Sequence, residues 1–291
     1  MTEPHSAKPV QEKAAHSEGF DDRSPAAIAK SISVKLGVAK ANLPWDSVII
    51  LGFLAGAYIA FGGVLAQTVT FDLSSYLGIG FSKFLAGSVF SVGLMLVIIG
   101  GAELFTGNNL MVVSLLDKRI GSGQMLVKWG GVFLANFIGA VTIAGILYLS
   151  GLWKTGDGGL GAAVVNTAAA KTSLPFGAAL VRAVGCNWLV CLAVWLSLAS
   201  RNTVGKIFAI FFPIMAFVAM GFEHSVANMY FIPAGLFLKN GAGIIPAGAA
   251  AESLTWGRFL YANLLPVTIG NIIGGSFFVG TLYWLVYLRK K

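Results

Sequence analysis

The chain has 291 residues, of which 56% are hydrophobic and only 11% are charged, and its mean hydropathy is +0.79. A soluble domain cannot bury so large an apolar fraction, so the composition indicates an integral membrane protein. The net charge of +8 does not point to a nucleic-acid partner, because no motif combines basic and aromatic residues for that purpose. Motifs of metalloproteases, P-loop ATPases and serine hydrolases are also missing, so we expect neither an enzyme nor a cofactor or metal site.

The first 42 residues divide into two parts. Residues 1–24 are polar, of mixed charge, and lack the basic start and short apolar core of a signal peptide, which predicts a disordered cytoplasmic tail. Residues 25–42 follow Ser24, a typical N-cap, and place apolar residues at i, i+4 spacing among lysines. This pattern predicts a basic amphipathic helix on the membrane surface, with a solvated linker helix as the alternative.

Six apolar stretches occupy the rest of the chain, residues 43–291. A helix needs about 20 predominantly apolar residues to cross about 30 Å of hydrocarbon. The stretches that meet this length are residues 47–70, 84–115, 125–151, 175–200, 207–238 and 259–288. Basic residues are more numerous on the side of the N-terminus, which predicts that both termini are cytoplasmic and that the protein crosses the cell (inner) membrane.

An internal repeat relates the two halves of this domain. Three residues of "GAELFTGNNL" recur in "GFEHSVANMY" at a constant offset of 120, namely Gly101, Glu103 and Asn108 as Gly221, Glu223 and Asn228. A second match, at an offset of 135, relates Asn136 to Asn271 and continues to Tyr148 and Tyr283. Each half therefore has three spans, and since three is odd, the halves enter the membrane from opposite sides as inverted repeats.

Both long spans are interrupted near the middle by glycine and polar residues. Such broken helices are tolerated in a membrane only around a cavity or inside the protein, and matched breaks in two halves indicate a permeation site. We expect Glu103 and Glu223 to accept hydrogen bonds from backbone amides of the loops, with Asn108 also supporting the break. Direct contact of these carboxylates with substrate is the alternative.

His224 is the only histidine outside the N-terminal tail, and the repeat places Leu104 at the corresponding position. A lone ionisable residue in a membrane segment usually marks a transport pathway, although a buried structural histidine is the alternative. Cys186 and Cys191 are five residues apart, which is the wrong spacing for a C-x-x-C redox or zinc site, so we interpret them as packing residues.

Four motifs together resemble the formate/nitrite transporter family: "GAELFTGNN" at 101–109, "NWLVCLAVW" at 187–195, "GFEHSVANMYFIP" at 221–233 and "PVTIGNIIGG" at 266–275. The resemblance covers the chain from about residue 24 to residue 289. It implies an all-α, aquaporin-like protomer of six helices with its own pore, a homopentamer in the lipid bilayer, and cytoplasmic termini.

The resemblance also implies roles for single residues. His224 matches the central histidine, Thr106 the threonine that faces it, Lys171 the vestibule lysine and Asn228 a pathway asparagine. Without the resemblance, Lys171 reads as an ordinary interfacial lysine. The expected hydrophobic constrictions are Phe90, Leu94 and Phe217 on one side, and Leu104 and Val190 on the other.

The predicted function is proton-assisted transport of a small monovalent anion, formate first, with nitrite, hydrosulfide or lactate as alternatives. Lys171 would draw the anion in, and the anion would become a stronger base as it loses water among apolar side chains. It would then cross as a weak acid, with His224 either giving the proton or orienting the substrate. The other functions considered are a neutral-solute pore for ammonia, water or glycerol, and a membrane-embedded enzyme or respiratory subunit.

Overall fold

The computed structural model describes residues 22–247 and 252–289, and these residues form helices and connecting loops without a β-strand. Within these two ranges, five helices are long and apolar enough to cross a membrane. The remaining predicted span corresponds to two shorter helices, Thr203–Ala219 and Ser225–Ala242, with a break between them. The chain is therefore a multi-pass membrane protein. The predicted disordered tail, residues 1–24, lies almost entirely outside the described residues.

The six predicted spans correspond to helices of the structure. The N-terminal segment consists of α1 (Pro25–Ser31), a π-helical turn (Ile32–Leu36) and α2 (Gly37–Ala41). The first half continues with α3 (Trp45–Thr70), α4 (Ser74–Gly100), α5 (Phe105–Asn108), α6 (Val112–Leu116) and α7 (Ser122–Leu149). The second half contains α8 (Gly159–Thr172), α9 (Phe176–Ala199), α10 (Thr203–Ala219), α11 (Ser225–Ala242), α12 (Trp256–Arg258), α13 (Leu265–Ile272) and α14 (Leu282–Tyr287). Helices α12 to α14 form one span, with two π-helical stretches between them.

The two predicted helix breaks are present at equivalent positions. α4 ends at Gly101, whose φ is +83°, and α10 ends shortly before Gly221, whose φ is +74°. Glycine adopts this left-handed conformation at no steric cost, whereas other residues are strained by it. In each half, the chain then runs extended for a few residues before a new helix begins. This helix starts after Leu104 in the first half and after His224 in the second.

Glycines allow the helices of each half to approach closely. A Cβ atom at Gly56 of α3 would overlap the backbone of Asn136 in α7, and one at Gly274 would overlap the backbone of α9 at Val184. Helices in lipid lack a hydrophobic driving force for association, so close backbone contact supplies much of their attraction. A close glycine contact thus joins the first and third spans of each half.

The N-terminal helix packs its apolar face on the rest of the chain. Ile28 and Ile32 are fully buried in a cluster with Leu110, Trp195 and Val279. The apolar spacing that predicted an amphipathic helix is therefore satisfied by the transmembrane helices of the same chain. A periodic pattern indicates that one face is buried but cannot tell lipid from protein.

Helix α8 was not among the predicted elements. Leu160, Val164 and Ala168 lie along one face of this helix and are fully buried, and the helix packs against α11. With 14 residues it is too short to span a bilayer, so a search for spans passes over it. Its last turn carries Lys171, and the helix thereby places this lysine beside the second break.

Candidate functional site

Two cavities approach each other from opposite ends of the helix bundle. One, the Lys171 vestibule, has a volume of about 240 Å³ and is lined by Lys171, Glu223, Asn228, His224, Phe90 and Phe217 among others. The other, the Lys40 vestibule, has a volume of about 220 Å³ and is lined by Lys40, Lys206, Asn108, Leu94, Leu104 and Leu198 among others. Each vestibule reaches the break of one half, as expected if the breaks shape a pathway.

A constriction separates the vestibules. It encloses a cavity of about 10 Å³ lined by Ile59, Phe90, Leu94, Leu104, Val190, Ile214, Phe217 and His224. A cavity of this size holds about one water molecule at most. Seven of these eight side chains are apolar, so a charged solute would lose its hydration here at a cost of several kcal/mol.

The structure corrects the predicted grouping of the constriction residues. Phe90 and Phe217 border the Lys171 vestibule, but Leu94 borders the Lys40 vestibule together with Leu104. Phe90 and Leu94 are one helical turn apart on α4, a rise of about 6 Å, so they share a face but stand at different depths. Val190 lines the central cavity between them and neither vestibule.

His224 and Thr106 meet at this constriction. The Nε2 atom of His224 lies 2.9 Å from Oγ1 of Thr106, and both side chains are buried. Nδ1 of His224 accepts a hydrogen bond of 3.0 Å from the backbone N–H of Ala227 and so caps helix α11. Because Nδ1 is an acceptor, the proton of the neutral ring is on Nε2, which therefore donates to Thr106.

Aromatic rings hold the imidazole on the side of the Lys171 vestibule. The Phe217 ring stacks on His224 with centroids 6.0 Å apart, and Phe90 meets Phe217 edge-on at 6.0 Å. Such pairs contribute about 0.5–1.5 kcal/mol beyond the area they bury. The rings thus fix the orientation of His224 while forming the apolar wall of the constriction.

Each vestibule contains a lysine bound to the glutamate of its break. Lys171 Nζ lies 2.9 Å from Oε1 of Glu223, and Lys40 Nζ lies 2.6 Å from Oε1 of Glu103. The second carboxylate oxygen accepts a hydrogen bond from an asparagine side chain in both halves, at 2.6 Å from Asn228 and at 2.9 Å from Asn108. The expectation that the glutamates bind loop amides was therefore wrong, because their oxygens are occupied by lysine and asparagine.

The loops of the breaks are held instead by two equivalent asparagines. Oδ1 of Asn136 accepts the N–H of Phe105, and its Nδ2 donates to the carbonyls of Gly52 and Glu103. In the second half, Asn271 makes the same three bonds, with Ser225, Ala183 and Glu223. Both side chains are fully buried, so a neutral amide satisfies the polar backbone without placing a charge in the membrane.

Sequence reasoning placed His224, Thr106, Lys171 and Asn228 on the pathway, and the structure brings these four side chains to the Lys171 vestibule or its inner end. Lys40 was assigned to a surface helix, although it enters the opposite vestibule. Asn136 and Asn271 were noticed only as a repeated pair. Their match at a constant offset was the signal that could have identified this role, since asparagines that recur in both halves are expected to bind equivalent partners.

Comparisons with known proteins agree with this architecture. The family model for the formate/nitrite transporters matches residues 27–285. The chain is 45% identical over 287 residues to the "Probable formate transporter" of Methanothermobacter thermautotrophicus, covering 94% of this chain and 100% of that protein. It is 39% identical over 278 residues to the "Formate channel FocA" of Escherichia coli K12, covering 94% and 97% of the two chains.

Solved structures give the same result. A "Pentameric formate channel with formate bound" superposes with a TM-score of 0.74 at 30% identity, covering 84% of this chain and 98% of that chain. An "FNT family ion channel" superposes with a TM-score of 0.73 at 30% identity. The chain belongs to the formate/nitrite transporter family.

Proposed function

We propose that this protein transports small monovalent anions across the cell membrane, with formate as the principal substrate and with the help of a proton. The observation that carries the proposal is the His224–Thr106 pair, placed at an apolar constriction between two lysine-containing vestibules. The names of the relatives and of the solved formate channel support formate as the substrate. The pentameric formate channel likewise supports a homopentamer.

An anion first enters a vestibule that offers an ammonium group. Lys171 and Lys40 are each paired with a glutamate, so the ammonium is partly neutralised and holds an anion only loosely. Loose binding suits transport, because a substrate that is bound tightly in a vestibule is released slowly. The lysine side chains are 17–18% exposed, which leaves them within reach of the cavity.

At the constriction the anion loses its water. A carboxylate becomes a stronger base as the dielectric around it falls, and protonation then removes most of the cost of entering the apolar segment. A neutral small acid can accept the hydrogen bond of a fixed donor, and the hydroxyl of Thr106 and Nε2–H of His224 are the polar groups at this point. The side chains of the constriction must move apart to let a molecule of three heavy atoms pass.

The geometry of His224 favours a proton that comes from vestibule water. Giving up the single proton of a neutral ring would leave an imidazolate anion, which is far too basic to persist. Protonating the ring on both nitrogens would break the cap between Nδ1 and Ala227 N–H. We therefore assign His224 and Thr106 the role of hydrogen-bonding the substrate as it crosses, while the proton enters with it from water.

The orientation follows from the basic residues near the spans. Both termini are then cytoplasmic, so the Lys40 vestibule, which lies beside the N-terminal helix, opens to the cytoplasm. The Lys171 vestibule opens to the outside. Labelling of the single variants Ser24→Cys and Thr155→Cys, both at exposed positions, with a membrane-impermeant reagent would check this assignment.

Reconstituted liposomes test the transport proposal. Purified protein should take up formate and acidify the vesicle interior, with rates that rise as the outside pH is lowered from 7.5 to 5.5, because each anion crosses with a proton taken from the outside water. Nitrite, hydrosulfide and lactate are tested in parallel. Movement of glycerol or ammonia without formate uptake would favour the neutral-solute pore instead.

A further inference from the structure

The inverted repeat allows the two vestibules to be compared position by position. Asn136 binds the carbonyl of Gly52 and Asn271 binds the carbonyl of Ala183, so Gly52 and Ala183 are equivalent, at an offset of 183 − 52 = 131. Fifteen residues further along each helix, the same offset relates Gln67 to Leu198. Gln67 lines the Lys171 vestibule and Leu198 lines the Lys40 vestibule.

Gln67 is paired with a second polar residue that also has an apolar counterpart. The hydroxyl of Tyr230 donates a hydrogen bond of 2.9 Å to Oε1 of Gln67. The offset of 120 that relates the two breaks pairs Tyr230 with Leu110. Leu110 packs in an apolar cluster with Leu198. A polar pair on one side of the molecule thus corresponds to a leucine pair on the other.

The Gln67 amide is built into the wall in a defined orientation. Tyr230 is fully buried, and its ring fits against Gly63, where a Cβ atom would lie 2.7 Å from Cδ1 of the ring. Gly63 is one helical turn before Gln67 on the same face of α3. With Oε1 bound to the tyrosine hydroxyl, the other end of the amide, Nε2, is left for a different partner.

That other end has no partner within the described residues. Nε2 of Gln67 is buried and makes no hydrogen bond, although it carries two N–H groups, and the residue is only 8% exposed. A buried donor without an acceptor is unfavourable, because it has lost its hydrogen bonds to water and gained none in return. A residue that lines a cavity and bears this cost is suited to receive an acceptor from outside the chain.

We propose that Gln67 is an anion-binding residue of the Lys171 vestibule and that Tyr230 is its positioning residue. The identity of the anion rests on the proposed function. Nε2 is covered in the present conformation, but the terminal torsion of glutamine is broad, so a small turn toward the cavity costs little. The N–H groups then donate to an oxygen of a carboxylate or of nitrite. Sulfur is a weak acceptor, so Gln67 selects oxyanions over hydrosulfide.

Binding to the purified, assembled protein tests this proposal independently of transport. The dissociation constant is obtained from the rise in thermal unfolding temperature with sodium formate, sodium nitrite or sodium hydrosulfide. The main variant is Gln67→Leu combined with Tyr230→Phe, because replacing both partners of a hydrogen bond leaves neither group unsatisfied. We expect the dissociation constants of formate and nitrite to rise about tenfold, and that of hydrosulfide to change less than about twofold.

Two further variants separate binding from structure. Tyr230→Phe alone keeps the amide but removes its orienting bond, and should raise the formate constant by a smaller factor, about threefold. Thr70→Ala is the matched control, because Thr70 lines the same vestibule while its hydroxyl donates to the carbonyl of Ala66 in its own helix. The control should bind formate like the wild type.

Equal formate constants in the wild type and the double variant would overturn the proposal, and so would an equal loss for hydrosulfide. In liposomes, the half-saturating formate concentration of the double variant should rise without a lower maximal rate, because the contact stabilises the bound anion rather than the crossing step. If the wild type moves no formate, the transport proposal fails, and the binding series still decides the role of Gln67.

Discussion

The two vestibules are built on the same scaffold but differ in the groups they present. Each has a left-handed glycine, a lysine–glutamate–asparagine cluster and a buried asparagine that holds the break. At the start of the new helix, however, one half has His224 where the other has Leu104. The comparison separates the duplicated groups, which are the glycine, the buried asparagine and the lysine–glutamate–asparagine cluster, from His224, which occurs in only one of the two breaks.

The largest effect is expected where the halves agree most closely. Asn271→Leu leaves one backbone N–H and two carbonyls without their partner, which should cost on the order of 3–5 kcal/mol. Asn136→Leu removes the same three bonds in the first half and should cost about as much. Recovery of assembled protein in detergent and its thermal unfolding measure both effects. If only one of the two variants assembled normally, the two breaks would be held by different interactions.

The next effect concerns the position where the halves differ. His224→Asn retains an acceptor for the Ala227 N–H, since asparagine is a good N-cap, but removes the ring that faces Thr106. We expect assembly to persist and formate uptake at pH 5.5 to fall by about 100-fold, in the range of losses seen when one fixed hydrogen-bond donor is removed from a water-excluded site. Leu104→Met is the matched change in the first half and should alter uptake only a few-fold. Unchanged uptake in His224→Asn would return this histidine to a structural role.

A smaller difference is expected between the two lysines. Lys171→Ala leaves the Glu223 carboxylate, whose side chain is 5% exposed, without its cation, and an unpaired buried carboxylate repels anions. Uptake at low formate concentration should fall about tenfold and depend less on salt. Lys40→Ala should have a weaker effect because Glu103 is 12% exposed and better solvated.

The combination of Lys171→Ala with Glu223→Gln distinguishes repulsion from lost attraction. The neutral pair carries no uncompensated charge, so it should regain part of the lost uptake in the same liposome assay. No recovery would mean that the ammonium of Lys171 is needed for its own charge. A decrease in formate uptake for Lys40→Ala as large as that for Lys171→Ala would contradict the predicted difference between the vestibules.

The smallest effect is expected at the constriction. Leu94→Ala combined with Leu104→Ala widens the path on the side of the Lys40 vestibule, which lets water reach the central cavity and lowers the cost for a permanent anion. Chloride leak should rise a few-fold, and formate uptake should depend less steeply on outside pH. Flux measurements with chloride and formate in liposomes check both. Continued exclusion of chloride by correctly assembled protein would place the barrier at Phe90 and Phe217.

Much of the architecture could be predicted because it depends on local sequence. Apolar length marks the spans, glycine marks the breaks, and the constant offset between "GAELFTGNNL" and "GFEHSVANMY" reveals the repeat. The spacing of Ile28 and Ile32 correctly indicated a helix with one buried face. Short α8 escaped prediction because its 14 residues are too few to cross a bilayer, so it does not stand out as a membrane span.

The sequence by itself determined where the chain crosses the membrane and where it breaks, because hydrophobic length and backbone freedom are properties of neighbouring residues. Only the tertiary structure decided which side chains meet. Lys40 reaches Glu103 across 63 positions, and Lys171 reaches Glu223 across 52. Gln67 and Tyr230 are 163 apart. Such pairs depend on how the helices pack, and the pattern within any one helix carries no record of the partner that a buried polar group will find.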